Sequence, residues 1–112
     1  MKYAVPVSSG MVSPHFGHCE HFALFDVEEQ SKVITKKEAL PSPEHQPGLL
    51  PGWLAERDVS VVLAGGMGPR AQELFQQHNI KVVIGALESD PEKAVLSYIN
   101  GTLATGDNVC DH

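Results

Sequence analysis

The segment from Ser13 to Phe22 contains the densest group of side chains that could bind a metal. It holds His15, His18, Cys19 and His21, which are three of the six histidines and one of the two cysteines in the chain. Imidazole and thiolate are ligands that suit zinc, copper and iron–sulfur species. The spacing fits no closed zinc-finger pattern, and a histidine in solvent or a small buried cysteine is the usual role of such a residue standing alone. Both interpretations of the segment stay open at this point.

A second candidate is the run SVVLAGGMGPRAQELF, from Ser60 to Phe75, which predicts a strand, a glycine-rich turn and a helix. The apolar residues from Val61 to Ala64 are typical of a strand buried on both faces of a sheet. We expect the glycines to take positive φ and Pro69 to occupy the first helical turn. Such a turn directs backbone N–H groups and the positive end of the helix into the crevice at the strand's carboxyl end. The predicted ligand-binding residues of this turn are Gly65, Gly66, Met67, Gly68 and Arg70.

Two further residues carry side chains that bind metals. His45 lies in the proline-rich loop from Leu40 to Gly52, where it is either an exposed residue of a connector or part of a lid over the crevice. Cys110 belongs to the sequence Cys-Asp-His at the end of the chain, although terminal residues are often disordered. We expect no structural disulfide between Cys19 and Cys110, because a cytosol is reducing and the chain is long enough to bury a core. The candidate metal ligands are His15, His18, Cys19, His45 and Cys110.

Composition limits the class of protein. At 112 residues, with 42% hydrophobic and 20% charged residues, the chain predicts a single globular domain over residues 1–112. A net charge of −6 with eight Lys and Arg argues against a nucleic-acid partner, because neutralising phosphates needs a basic surface. No apolar run reaches the length of a membrane span, and the N-terminal sequence lacks the apolar core of a signal peptide. These absences predict a cytoplasmic protein without a membrane partner.

The pattern along the chain predicts an α/β fold with a mixed five-stranded sheet. Right-handed crossovers give the strand order 3-2-1-4-5, with strand 2 antiparallel and helices on both faces. Lysines in strand 3 are typical of a protected edge. Ligands in such sheets bind where the chain connections diverge, here between strands 1 and 4, so the two candidate segments should share one site. The predicted strands are Lys2–Val7, His21–Glu28, Lys32–Ala39, Val61–Ala64 and Ile80–Ile84, and the predicted helices begin near Leu49 or Leu50, at Pro69 and at Pro91.

These residues resemble a known family. The matching pieces are YAVPV near the start, Ser13 to Gly17 (SPHFG), Val61 to Arg70 with AGGMGPR, Ile80 to Val82, and Tyr98 to Gly101 (YING). Together they are similar to the dinitrogenase iron-molybdenum cofactor biosynthesis family, which includes NifX, NafY, the C-terminal domain of NifB, small stand-alone members and the orange protein. The resemblance covers nearly the whole chain.

The resemblance implies a ribonuclease-H-like α/β fold and an accessory protein that binds or carries a preformed metal–sulfur cluster. The cluster would be of the iron–molybdenum, iron–sulfur or molybdenum–copper sulfide kind, and the partners would be cluster donor and acceptor proteins. His15 and Phe16 fall on the family's HFG motif, so the resemblance implies that both residues bind the cluster and that His15 is the principal ligand.

Two other functions fit parts of the sequence. The GGMGPR turn could serve a small phosphate- or nucleotide-binding module, but it lacks the lysine and hydroxyl of a P-loop and the full dinucleotide glycine pattern. A nuclease would need clustered carboxylates, and the first strand, KYAVPV, has none. We therefore expect a carrier and not an enzyme.

Overall fold

The computed structural model describes residues 1–13, 16, 19–41 and 49–106. These residues form a mixed α/β fold in which a six-stranded mixed sheet carries three helices. The strands are β1 (Lys2–Ser8), β2 (Met11–Val12), β3 (His21–Glu28), β4 (Val33–Pro41), β5 (Val61–Leu63) and β6 (Lys81–Val83). The helices are α1 (Leu49–Ala55), α2 (Pro69–Gln77) and α3 (Pro91–Ile99).

Strand β1 lies at the centre of the sheet. It pairs antiparallel with β3 along most of its length and parallel with β5 at Tyr3 and Ala4, giving the path β4-β3-β1-β5-β6. This path through five strands follows the predicted order, and β4 is the predicted edge. The prediction of five strands was wrong, because β2 adds a sixth, which pairs with β1.

The additional strand β2 folds back on β1 through a tight hairpin. Ser9 and Gly10 both have positive φ, of 54° and 76°, as a two-residue type I′ turn requires. Strand β2 pairs with β1 on the same side as β5: β5 pairs with β1 up to Ala4, and β2 pairs with it from Val7, which lies opposite Val12. Pro6 lies between the residues of β1 that pair with β5 and those that pair with β2. Proline cannot donate a backbone hydrogen bond, and at this position neither β5 nor β2 requires one. A strand of two residues is too short to produce a hydrophobic period, which explains why it was missed.

Two hydrophobic cores cover the two faces of the sheet, because successive side chains of a strand point to opposite faces. The first, which we call the α1/α2 core, is built around Phe22, Leu54, Val62 and Phe75. The second, the α3 core, is built around Tyr3, Val5, Leu63 and Val95. Helices on both faces were predicted, and the alternation of β1, β3 and β5 between the cores explains their nearly continuous apolar sequences.

The helix ends follow the expected local chemistry. Helix α3 begins at Pro91, and the Asp90 side chain accepts a hydrogen bond from the Lys93 N–H at 3.1 Å. Helix α2 begins at Pro69 and ends at Gln77, and it is followed by the C-cap residue His78 and by Asn79 with φ of 60°. The helix starts at Pro69 and Pro91 were predicted. Among the described residues the longest helices have nine residues, so none could cross a membrane.

The chain after α3 returns to the sheet beside β6. Ala86 pairs with Thr105 in an antiparallel bridge, and the Gly106 N–H donates to the Gly85 carbonyl at 2.7 Å. Gly85 has φ of 75° and is buried. A Cβ at this position would overlap the carbonyl group of Gly106, approaching its carbon to 3.0 Å. Glycine is therefore required at position 85 both by conformation and by contact.

The first prediction separates these two requirements. Gly101 has almost the same φ, 74°, but a Cβ there would meet nothing within 4 Å. We expect Gly101→Ala to lower the free energy of unfolding by about 1–2 kcal/mol, the cost of a left-handed residue. Gly85→Ala should cost about 1–3 kcal/mol more, because the contact with Gly106 must also be relieved. Urea unfolding of both variants checks this, and equal losses would contradict it.

Candidate functional site

One end of the sheet collects the loops that carry the candidate residues. Strands β1, β5 and β6 end there and β3 begins there, since Val7 pairs with His21 and Leu63 with Val83. Strand β4 also ends there, because His21 pairs with Pro41. We call this end of the sheet, marked by Ser8, His21, Pro41, Leu63 and Val83, the carboxyl edge. The loops after β1 and β5, predicted to share a site, both leave the sheet at this edge.

The loop after β2 is attached to the sheet by backbone hydrogen bonds. The Ser13 N–H donates to the Pro6 carbonyl at 2.8 Å, and the Glu20 N–H donates to the Val7 carbonyl at 2.9 Å. Between them, the Phe16 N–H donates to the Gly66 carbonyl at 3.0 Å. This last bond joins the loop carrying the HFG motif directly to the turn carrying GGMGPR.

The ring of Phe16 lies in the α1/α2 core. It is 4% exposed and packs between Phe22, at 5.7 Å between ring centroids, and Phe75, at 5.3 Å. The contact with Phe75 is edge-to-face, a favourable arrangement for aromatic rings. Phe16 was predicted to bind the ligand. In the structure its ring packs in the core and holds the loop against the sheet.

The backbone of the glycine-rich turn differs from the expectation. Gly68 has φ of −67° and ψ of 155°, and the described glycines with positive φ are Gly10, Gly85 and Gly101. The expected positive φ at Gly65, Gly66 and Gly68 was therefore wrong. The turn is also bonded to two other segments: the Gly65 carbonyl accepts from the Gly85 N–H at 3.1 Å, and the Gly66 carbonyl accepts from the Phe16 N–H at 3.0 Å.

Met67 and Arg70, both predicted ligand-binding residues, lie in opposite environments. The side chain of Met67 is fully buried in the α1/α2 core, where a polarisable thioether packs well. The Met67 carbonyl accepts a hydrogen bond from the side-chain amide of Gln72 at 3.0 Å, which stabilises the start of α2. Arg70 is exposed in the first turn of α2, which contains no acidic residue. Of these two side chains, Arg70 is the one accessible to a ligand in solution.

The metal-ligand candidates are only partly covered by the structure. Cys19 is half-buried and packs against the α1/α2 core. His21, the first residue of β3, alternates with Phe22 and so shares the opposite face with Ala23 and Phe25 of the α3 core. Within residues 1–13, 16, 19–41 and 49–106, no group of three or more His, Cys, Asp or Glu side chains is placed to hold a metal. The candidates outside these residues are His15, His18, His45 and Cys110, and the expectation about a Cys19–Cys110 disulfide also lies outside them.

Two features of the edge gave little signal in the sequence. The Glu20 carboxylate accepts a hydrogen bond from the Ser9 N–H, which ties the loop end to the β1–β2 hairpin. The Val12 N–H donates to the Ser89 carbonyl at 2.8 Å, which ties β2 to the loop after β6. Both contacts join segments far apart in the chain, so no local pattern could reveal them.

The family comparison decides how this edge is interpreted. Residues 1–101 match the family described as dinitrogenase iron-molybdenum cofactor. The chain belongs to this family. The match includes both the HFG segment and the GGMGPR turn, and the family's name associates it with the iron-molybdenum cofactor. Membership supports a role in cofactor biosynthesis or carriage.

Three individual proteins resemble this chain in sequence or in fold. An uncharacterized protein of Methanocaldococcus jannaschii is 29% identical over 85 residues, covering 73% of this chain and 72% of the relative. The crystal structure of the protein PH0822 superposes with a TM-score of 0.86 at 29% identity, covering 94% of each chain. The apo form of the orange protein from Desulfovibrio gigas superposes with a TM-score of 0.71 at 24% identity, covering 96% of this chain and 93% of that protein. The last likeness is one of fold.

The second prediction tests whether Phe16 is a core residue. Phe16→Ala should lower the free energy of unfolding of the ligand-free protein by about 3–5 kcal/mol, the usual cost of removing a buried phenylalanine. Met11→Ala is the control from the same segment, because Met11 is 51% exposed. It should change stability by less than about 0.5 kcal/mol. Similar unfolding curves for the two variants would show that the Phe16 ring contributes nothing to the fold.

Proposed function

We propose that this protein binds a preformed metal–sulfur cluster at the carboxyl edge and carries it, as an accessory protein of cofactor biosynthesis. The observation that carries the proposal is the hydrogen bond from the Phe16 N–H to the Gly66 carbonyl, at 3.0 Å. It brings the backbone of the HFG motif against the turn that opens α2. A ligand held by the loop would therefore lie near the start of that helix.

The start of α2 supports an anionic cargo. The N-terminus of a helix carries a partial positive charge from its unpaired N–H groups, and it favours anions by about 0.3–1 kcal/mol in exposed sites. Helix α2 has no acidic residue in its first turn, and Gly68 provides no side-chain cap. The exposed guanidinium of Arg70 adds a full positive charge in the same turn. Sulfide clusters are commonly anionic, so both features would attract one.

The ligands would come mainly from the loop that Phe16 fixes. His15 precedes Phe16 in the family motif, and we propose it as the principal ligand. Cys19 would be the second, since thiolates suit iron, copper and molybdenum sulfide species. His18, His45 and Cys110 are further candidates by side-chain chemistry. The cluster would be an iron–molybdenum, iron–sulfur or molybdenum–copper sulfide species, and the family name favours the first.

The proposed role needs no catalysis. A carrier must bind a cluster made elsewhere and release it, so its partners would be a donor and an acceptor protein. We also propose that the sheet is a ribonuclease-H-like arrangement used for binding alone, because fold does not fix chemistry. The family assignment supports the carrier role, and the absence of carboxylates from β1 weighs against a nuclease.

The phosphate- or nucleotide-binding alternative receives less support from the backbone. Phosphate-binding loops often form a concave nest of N–H groups in which right-handed and left-handed residues alternate. Gly68 is extended, and Gly65 and Gly66 do not have positive φ. The turn therefore lacks the alternation on which such a nest depends. Competition between a nucleotide and a cluster for the protein would separate the two functions.

The third prediction concerns the ligand assignment. His15→Ala should abolish or greatly weaken cluster uptake, and Cys19→Ser should weaken it less if imidazole is the main ligand. The measurement is anaerobic reconstitution with iron–molybdenum or molybdenum–copper sulfide species, followed by metal analysis after gel filtration. Circular dichroism confirms that each variant is folded.

His78→Ala is the matched control for that experiment. His78 is an exposed histidine at the opposite end of α2 from the candidate site, so its removal should leave metal content unchanged. A folded His15→Ala protein that retains the full metal content would rule out the ligand assignment. A loss of metal in His78→Ala as well would indicate nonspecific binding to histidines.

The fourth prediction tests the start of α2 by charge alone. A Cβ at Gly68 would meet nothing within 4 Å, and its φ and ψ suit any residue. Gly68→Asn and Gly68→Asp should both cap the helix and raise the free energy of unfolding by roughly a few tenths of a kcal/mol. Only Gly68→Asp adds a negative charge, so it should weaken uptake of an anionic cluster while Gly68→Asn does not. Equal metal content in the two variants would remove the electrostatic part of the proposal.

A further inference from the structure

A cavity lies at the end of the sheet opposite the carboxyl edge. Its volume is about 420 Å³, within the usual range for a site that holds a small molecule. It opens between the start of β1, the end of α3 and the turn between β3 and β4. The residues that line it include Tyr3, Val27, Tyr98 and Ile99. Among the residues that the structure describes, none of those assigned to the proposed cluster site lines it.

The wall of the cavity is largely apolar. Tyr3 is 6% exposed and belongs to the α3 core, so its ring is held rigidly. The Tyr98 ring packs edge-to-face against it, with 5.9 Å between centroids and 65° between planes. Val27 and Ile99 complete the apolar lining. Such a surface suits a planar, apolar body, because aromatic rings stack or meet edge-to-face with little loss of conformational entropy.

The rim of the cavity is charged, with positive charge in excess. Lys32, Glu29 and the N-terminal ammonium of Met1 line it, and this ammonium donates a hydrogen bond to the Val27 carbonyl at 3.0 Å. The Lys81 ammonium lies beside the lining, 5.6 Å from the centre of the Tyr98 ring, a cation–π contact. Three ammonium groups and one carboxylate leave positive charge in excess here, in a chain whose net charge is −6. A small anion would be attracted to this rim although the protein as a whole would repel it.

The ionisable groups keep this pattern at neutral pH. The pKa of Lys81 is raised, mainly by a hydrogen bond with the Tyr98 side chain, so the Lys81 ammonium is charged at neutral pH. Burial is the main cause that raises the pKa of the Tyr3 phenol, followed by the effects of Tyr98 and Glu29, while Lys81 acts in the opposite direction. Tyr3 therefore keeps its proton and can donate a hydrogen bond. Tyr3, Tyr98 and Lys32 therefore offer donors in the lining of the cavity, and the Lys81 ammonium lies beside Tyr98.

We infer that this cavity is a second binding site, for a small organic anion with a flat apolar body. The tyrosine pair would contact the body, and Lys32 and Lys81 would attract the charged group. Glu29 would disfavour anions placed on its side of the rim and so orient the ligand. The site goes beyond the proposed function, since cluster binding uses neither these residues nor this end of the sheet.

The test uses naphthoate as the probe and naphthylmethylammonium as its cationic counterpart of similar size. Isotope-labelled protein is titrated with each, and amide NMR shifts are followed. Naphthoate should give saturable shifts centred on Tyr3, Val27 and Tyr98, and the cation should bind more weakly. Lys32→Gln and Lys81→Gln should each weaken naphthoate binding about two- to fivefold, as expected for removing one exposed charge interaction. Tyr98→Phe should weaken it while preserving the ring.

Lys36→Gln is the control, because Lys36 is an exposed lysine on β4 that neither lines the cavity nor, unlike Lys81, lies over the Tyr98 ring. It should leave the affinity unchanged. Equal binding of the two probes, no saturable shift, or equal effects of all three lysine variants would each overturn the inference. Shifts of the same amides that depend on protein concentration without any probe would also overturn it, because they would show that a second copy of the chain covers the cavity.

Discussion

The burial of Phe16 is the interaction on which the candidate site depends. Its ring fills a place between Phe22 and Phe75, and its N–H group bonds to Gly66. A buried phenylalanine is worth about 3–5 kcal/mol and a backbone hydrogen bond about 1 kcal/mol, so the ring supplies most of the attachment. The core therefore fixes the loop at Phe16, and a rigid scaffold commonly supports a functional loop in this way.

The polarity of the strands determines which segments meet. Because β1 runs parallel to β5 and antiparallel to β3, the end of β1 lies beside both the end of β5 and the start of β3. The HFG loop follows β1 and its short hairpin partner β2, and the GGMGPR turn follows β5. The same arrangement leaves the start of β1 at the other end of the sheet, where Tyr3 meets the last turn of α3. One central strand thus separates the two sites by its whole length.

The fold was largely predictable, and the residues show why. The β3 strand has the predicted bounds and helix α3 has the predicted start, because an apolar run ended by a polar turn and an Asp-Pro start are strong local signals. The hairpin strand β2 was missed because two residues carry no period. Met67 was assigned to the ligand, although its side chain is buried, since sequence does not tell which way a loop residue points. The glycine-rich turn is also bonded to distant segments, through Gly65 to Gly85 and through Gly66 to Phe16, and no local pattern indicates such bonds. Local chemistry predicted the elements, and long-range contacts decided the details of the site.

Net charge constrains how a cargo of the proposed kind could be acquired. The chain carries a charge of −6, so an anionic cluster free in solution would be repelled at long range. The attraction of Arg70 and of the start of α2 acts over short distances, because the helix effect is confined to the first turn and salt screens charges beyond about 8–10 Å. Capture from dilute solution would therefore be slow. An acidic carrier is instead steered toward a basic surface on a partner protein, which could present the cluster within the range where Arg70 and the loop ligands act. On the proposed function, the charge pattern thus favours direct transfer between proteins over uptake of a free cluster.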